Sequence, residues 1–259
     1  MTQPLDGRRI LVTRGASQAS KLSDGLRELG AIALEVPLIE IIPPDSYDPL
    51  DDALRNLAQY DWLILTSTNT VRVIAERAKA VGISPERFAP QNISAIGSAT
   101  EQAAREAGFK VTLAPKEYVA ESLVAEFKDQ ISGRRVLLAR AAIARDVIPD
   151  ALRAGGAVVD VVDAYQNVLP AAAPQQLRRA YALGIDAATF TSSSSAAHLA
   201  EAAQASALPF PLPHVAAISI GPITSQTLRE LGWPPVTEAD PHDIPGLISA
   251  VVRHFTRTS

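Results

Sequence analysis

The chain has 259 residues, 47% hydrophobic and 20% charged, with a net charge of −4 and a pI near 5.6. That composition buries a real core and excludes a disordered chain, and without a global basic field nothing supports a nucleic-acid partner. There is no cysteine, which excludes disulfides, thiolate metal sites and a cysteine nucleophile.

The first fifteen residues place an acidic side chain and two arginines before an apolar run of only 10–12, which is not a secretory signal. No later run approaches the roughly 20 apolar residues that span a bilayer, so a cytoplasmic protein without a membrane partner is expected. Residues 9–12 suit a buried strand, and 18–29 follow with Leu22, Leu26 and Leu29 at helical spacing before Gly30 stops the helix. A second strand is predicted over 31–36. After Pro43, Pro44 and Pro49, the leucines at 50, 54 and 57 mark a helix, and 62–65 a buried strand. That strand ends in Thr66, Ser67, Thr68 and Asn69, residue types that start helices, and a helix is expected over 71–80. The alternation continues with a strand over 93–96, a helix over 100–107, a strand over 110–113 and a helix over 121–127. Strand and helix in turn are the signature of a parallel sheet covered by helices on both faces.

From Gly133 the pattern begins again. Gly7, Arg8, Arg9 and Arg14 fall on Gly133, Arg134, Arg135 and Arg140, each 126 residues on, and Gly30-Ala31 falls on Gly156-Ala157. Leu65-Thr66-Ser67 matches Phe190-Thr191-Ser192, Gly97 and Thr100 match Gly221 and Thr224, and Gly108 matches Gly232. This duplication implies two lobes of like fold. The lobes are either sequential, dividing near Ser132, or interleaved, with extended crossings at 38–42 and 163–168. Neither crossing stretch contains a helical segment, which favours the interleaved partition. Residues 157–170 form a β-branched run long enough for two strand lengths, with Tyr165 in its second half, and 31–44 is its counterpart. Both read as joints between lobes, where ligand clefts form.

In open parallel sheets, ligands bind beyond the carboxyl ends of the strands. Four turns there are rich in hydroxyls: 66–69 with Ser67, 97–100 with Ser98 and Thr100, 191–195 with Ser192, and 221–224 with Gly221 and Thr224. Unpaired backbone N–H groups and the helix dipole suit carboxylate or phosphate at such turns, although any one of them could simply cap its helix. Arg14 and Arg140 end the first strand of each half, with Arg145 just beyond, and could pair with ligand carboxylates or form ordinary ion pairs. Tyr165 stands at a predicted joint. A phenol with a pKa of about 10 stays protonated at neutral pH and can donate a hydrogen bond or proton, but it could equally be a packed aromatic. The four histidines show no ligand spacing, so no metal is expected. There is no glycine-rich nucleotide fingerprint, no P-loop, and no G-x-S-x-G turn around Ser192.

The segments LVTR, LTSTNTV, AIGSAT, AESLVAEF, VDAYQ, FTSSSSA and ISIGPIT, in that order, cover essentially the whole chain. Together they resemble the uroporphyrinogen-III synthase family. The resemblance implies two similar α/β lobes, each a five-stranded parallel sheet flanked by helices, joined by a two-stranded β ladder. It selects the interleaved partition, 1–37 with 169–259 and 43–163. It implies a lyase that converts hydroxymethylbilane, a linear tetrapyrrole polycarboxylate, to uroporphyrinogen III with inversion of ring D and loss of water. No metal or organic cofactor is implied, and a monomer is expected. Tyr165 falls on the family's cleft tyrosine, thought to assist loss of the terminal hydroxyl. Thr224 falls on the threonine of the Gly-Pro-x-Thr turn, and Thr100, Ser67 and Ser192 on polar turn positions near bound carboxylates. Thr68 and Ser193 stand where many members have proline, so those turns are expected to be looser. The rival expectations are a two-lobed binding protein without chemistry, which a fold alone cannot separate from an enzyme, and a nucleotide-dependent enzyme, weakened by the absent glycine fingerprint.

Overall fold

A computed structural model describes residues 3–14, 20–115, 126–127, 130–144 and 146–256. The chain divides into two compact units, residues 1–40 with 168–259, and residues 41–167. Each is an α/β sheet with helices on both faces.

The first unit is built on β1 (Arg9–Val12), β2 (Ile32–Glu35), β9 (Ala187–Phe190), β10 (Ala216–Ser219) and β11 (Thr237–Glu238), in the order β11-β10-β9-β1-β2, with every pair parallel. Strand β1, paired on both sides by β9 and β2, shows what an interior strand requires. Leu11 packs into the cluster around Leu177, Phe190, Leu199 and Trp233 on one face. Ile10 and Val12 pack on the other with Leu22, Leu26, Leu247 and Val251. Successive side chains of a strand point to opposite faces, so a strand covered on both sides must be apolar throughout. The covering helices are α1 (Ser20–Glu28), α6 (Ala173–Leu183), α7 (Ser193–Ala205), α8 (Pro222–Glu230) and α9 (Ile244–Thr256).

The second unit repeats the plan with β4 (Trp62–Leu65), β5 (Asn92–Ala95), β6 (Val111–Leu113), β7 (Arg135–Ala141) and β8 (Val158–Val168), in the order β8-β7-β4-β5-β6. These five are parallel, and β3 (Glu40–Ile42) adds a sixth strand beside β8. In β4, Leu63 and Leu65 face the cluster with Leu50, Ile74 and Phe88. Trp62 and Ile64 face Phe127, Leu138 and Leu152. The described helices here are α2 (Asp48–Arg55), α3 (Thr68–Ala80), α4 (Ser98–Glu106) and α5 (Val147–Ala154). The helix expected over 121–127 lies outside the described residues except at Glu126 and Phe127.

The run expected to hold two strand lengths is one unbroken 11-residue strand, β8. Its pairing with β7 shifts register between Arg140 and Ala141, so that Arg140 lies opposite Asp163 and Ala141 opposite Tyr165. Such an irregularity re-aims side chains. Ala164 and Tyr165, adjacent in sequence, are accordingly both buried.

The duplication is visible in the backbone. Gly7 and Gly133 have φ of 69° and 71°, and Gly30 and Gly156 have 92° and 88°. These are left-handed conformations that a side chain resists. In each unit the first glycine donates to the carbonyl of the second, at 3.2 Å and 2.9 Å. Asp186 and Asp61 are also equivalent, each accepting the backbone N–H of the first strand's arginine, Arg9 at 2.7 Å and Arg135 at 2.8 Å.

Candidate active site

In both sheets the strand order reverses next to the first strand of the repeat, between β4 and β7 in one unit and between β1 and β9 in the other. Crevices at the carboxyl ends of strands flanking such a reversal are where open α/β sheets take ligands. The candidate residues gather there, each set within its own unit. In the second unit they follow adjacent strands: Tyr165 in β8, Arg140 near the end of β7, Ser67 after β4, and Ser98 and Thr100 after β5. In the first unit the corresponding edge carries Gly221 and Thr224 after β10, Ser192 after β9 and Arg14 after β1.

Ser67 starts α3. Its extended backbone lets Oγ accept the Thr70 N–H at 3.1 Å, satisfying one of the donors that a helix start leaves open. The same Oγ lies 3.0 Å from the Tyr165 hydroxyl and 3.0 Å from Thr70 Oγ1. Thr66 Oγ1 lies 3.4 Å from Thr70 Oγ1 and donates to the Ala139 carbonyl of β7 at 3.3 Å. Tyr165 is thus tied through side chains to the start of α3 and to the neighbouring strand. Thr70 is fully buried and Tyr165 nearly so.

Ser192 does for α7 what Ser67 does for α3. It accepts the Ser195 N–H at 3.1 Å, while Ser195 Oγ donates to the Ser192 carbonyl at 2.7 Å and accepts the Ser192 N–H at 3.3 Å, a reciprocal cap. Thr227 Oγ1 on α8 donates to Ser193 Oγ at 2.8 Å, so the turns after β9 and β10 are bound to one another. Behind Thr224, the buried hydroxyls of Ser225 and Ser219 are 2.6 Å apart, and Ser225 donates to the Glu238 carboxylate.

The glycine turns behave differently. Gly97 and Gly221 occupy the capping positions of α4 and α8 without a side-chain cap, so the hydroxyls of Ser98, Thr100 and Thr224 lie inside the first helical turn. Ser98 is exposed, and Thr100 and Thr224 are buried. A β-carbon at Gly221 would stand 3.3 Å from the His242 ring, so glycine there allows the close approach. Arg140 Nη2 binds Asp146 Oδ1 at 2.7 Å, and its side chain is largely covered. The ion pair weighed from sequence is therefore present within the chain. Arg14 is half-buried just beyond β1, and burial lowers its pKa from the ordinary arginine value. Arg145 lies outside the described residues. Thr70 lies just outside the turn read at 66–69, and Ser195 closes the turn read at 191–195 without a capping role assigned to it there. The signal for them was their position three residues after a capping serine, the spacing of a reciprocal cap. Among the described residues, no group of three or more His, Cys, Asp or Glu side chains is placed to hold a metal ion, and no helix is long and apolar enough to cross a membrane.

A family model described as uroporphyrinogen-III synthase HemD matches residues 20–249. The uroporphyrinogen-III synthase of Synechococcus elongatus is 36% identical over 99% of both chains. This chain belongs to the uroporphyrinogen-III synthase family. Membership makes it a cyclising lyase of tetrapyrrole biosynthesis. A porphyrin biosynthesis protein HemD of Ruminiclostridium josui is 29% identical over 89% of this chain, which spans 45% of that protein. A solved uroporphyrinogen III synthase mutant from Thermus thermophilus covers 98% of this chain and is itself wholly covered, with a TM-score of 0.71 and 22% identity, a likeness of fold.

Proposed function

We propose that the chain acts in the cytoplasm as a monomer and converts hydroxymethylbilane to uroporphyrinogen III. Electron push from the ring A pyrrole expels the terminal hydroxyl and leaves an azafulvene electrophile, which left to itself closes at the free end of ring D. Inversion requires the chain to be held so that the substituted carbon of ring D is attacked first, giving a spiro intermediate that fragments and recloses. Most of the catalysis is then positioning of one substrate conformer, which calls for no strong acid-base dyad.

What supports this reading is the tethered phenol of Tyr165 on an edge of hydroxyl-bearing turns at a strand-order reversal. In this reading Tyr165 assists departure of the hydroxyl. The turns carrying Ser67, Ser98, Thr100, Ser192, Gly221 and Thr224 receive substrate carboxylates through hydroxyls and helix-start N–H groups. Arg14, Arg140 and Arg145 add positive charge, Arg140 while keeping Asp146. Tyr165→Phe tests the division of labour. Turnover falls at least tenfold with the product still the type III isomer, because losing one polar contact at the reacting centre removes about 1.4 kcal/mol or more. A Tyr165→Phe product consisting mainly of the type I ring overturns it.

A further inference from the structure

We infer that a string of hydroxyls ending on Tyr165 fixes the direction of its phenolic proton, so that Tyr165 meets the substrate as a hydrogen-bond acceptor and Thr70 and Thr66 are its positioning residues. The inference rests on the proposed function above and reverses the donor role expected of Tyr165 from sequence.

Each hydroxyl has one proton to give and lone pairs to receive, whereas a carbonyl only receives. Thr66 gives its proton to the Ala139 carbonyl. Between Thr66 and Thr70 the donor must therefore be Thr70. Thr70 then has no proton left for Ser67, so Ser67 donates to Thr70. Ser67 in turn has none left for Tyr165, so Tyr165 donates to Ser67. Ser67 ends with one bond given and two received, the second from the Thr70 N–H, which fills its capacity. Hydroxyls linked head to tail polarise one another, so reversing one reverses all. The phenol oxygen keeps its remaining lone pairs for the substrate.

The substrate offers N–H donors on its pyrroles. When hydroxide leaves, the C–O bond breaks with its electron pair going to oxygen, and the nitrogen lone pair of ring A becomes a C=N bond. The hydroxide takes up a proton from water, and the positive charge appears at the ring A N–H. The proton taken from water is returned when the free carbon of ring D loses its own hydrogen on the final closure. An acceptor facing this N–H bonds more strongly as the charge develops, so the stabilisation is greater in the transition state than in the bound substrate and acts on kcat.

The test compares Thr70→Val, Thr70→Ser, Tyr165→Phe and the double variant Thr70→Val/Tyr165→Phe on hydroxymethylbilane. Thr70→Val keeps the backbone cap of Ser67 but frees the Ser67 proton to point at Tyr165, turning the phenolic proton outward. The expected result is a fall in kcat of about fivefold to tenfold with KM within twofold, restored by Thr70→Ser. In the Tyr165→Phe background, Thr70→Val has no further effect. With tyrosine labelled at Cζ with carbon-13, the Tyr165 resonance, assigned by its loss in Tyr165→Phe, moves in Thr70→Val and returns in Thr70→Ser. Should Thr70→Val fail to fold, Thr66→Val carries the same expectation from the half-buried end of the string. A kcat unchanged or raised in the valine variants, beside a slow Tyr165→Phe, overturns the inference alone. Full activity in Tyr165→Phe overturns the functional reading beneath it.

Discussion

Tyr165, Ser67 and Thr70 show how far single residues were legible. Ser67 and Tyr165 were found from helix-start chemistry and from an aromatic in an extended run. Their 3.0 Å contact spans 98 positions and depends on the register shift in β8, which no local pattern encodes. Arg140 was legible as a cation at a strand end, but its partner Asp146 was not. A different residue shows the pH behaviour of the second unit. Tyr60 donates to Asp160 at 2.9 Å, and burial followed by that carboxylate pushes its pKa up to about 12. The fold thus favours the neutral phenol, and the unfolded chain gives up its proton first once pH passes about 10. Unfolded chains then bind fewer protons at this group than folded ones, so the stability that Tyr60 contributes is fully present below about pH 10 and is lost as pH rises to about 12. Denaturant titrations across that range should show the loss in the wild type and a flatter profile in Tyr60→Phe. Equal slopes in the two would remove the assignment.

The strand and helix cores were readable because each is apolar with one period throughout. Strands β1 and β4 carry apolar side chains on both faces, and α3 and α7 begin at serines. What the pattern left open was the difference between capping and binding at those serines, since one hydroxyl serves both. Ser192→Asp separates them. Aspartate caps as well as serine and suits the positive end of the α7 dipole, so the melting temperature should stay within about 2 °C, the shift expected of roughly 0.5 kcal/mol in a protein of this size. Its charge repels a polycarboxylate, so KM should rise about tenfold with kcat little changed, as read from steady-state turnover. An unchanged KM would mean that Ser192 only caps.

At the scale of the whole chain, the repeat was legible because it is written in glycines and arginines at constant spacing, and those positions share their backbone angles and hydrogen bonds. The repeat is not perfect where it matters for topology. Residues 32–42 form two short strands, β2 and β3, whereas their counterparts form the single strand β8. Proline accounts for the difference. Pro37 interrupts the first stretch, lacking the N–H that a ladder needs, while Asp163 stands at the matching position of the second. On the function proposed above, this duplicated chain imposes the inverted ring order on a linear tetrapyrrole. Incubating the protein with hydroxymethylbilane beside a protein-free control, and resolving the cyclised isomers by chromatography, decides whether it does. The type III ring is expected in excess with the protein and the type I ring without it, and type I in both would rule out the proposed function.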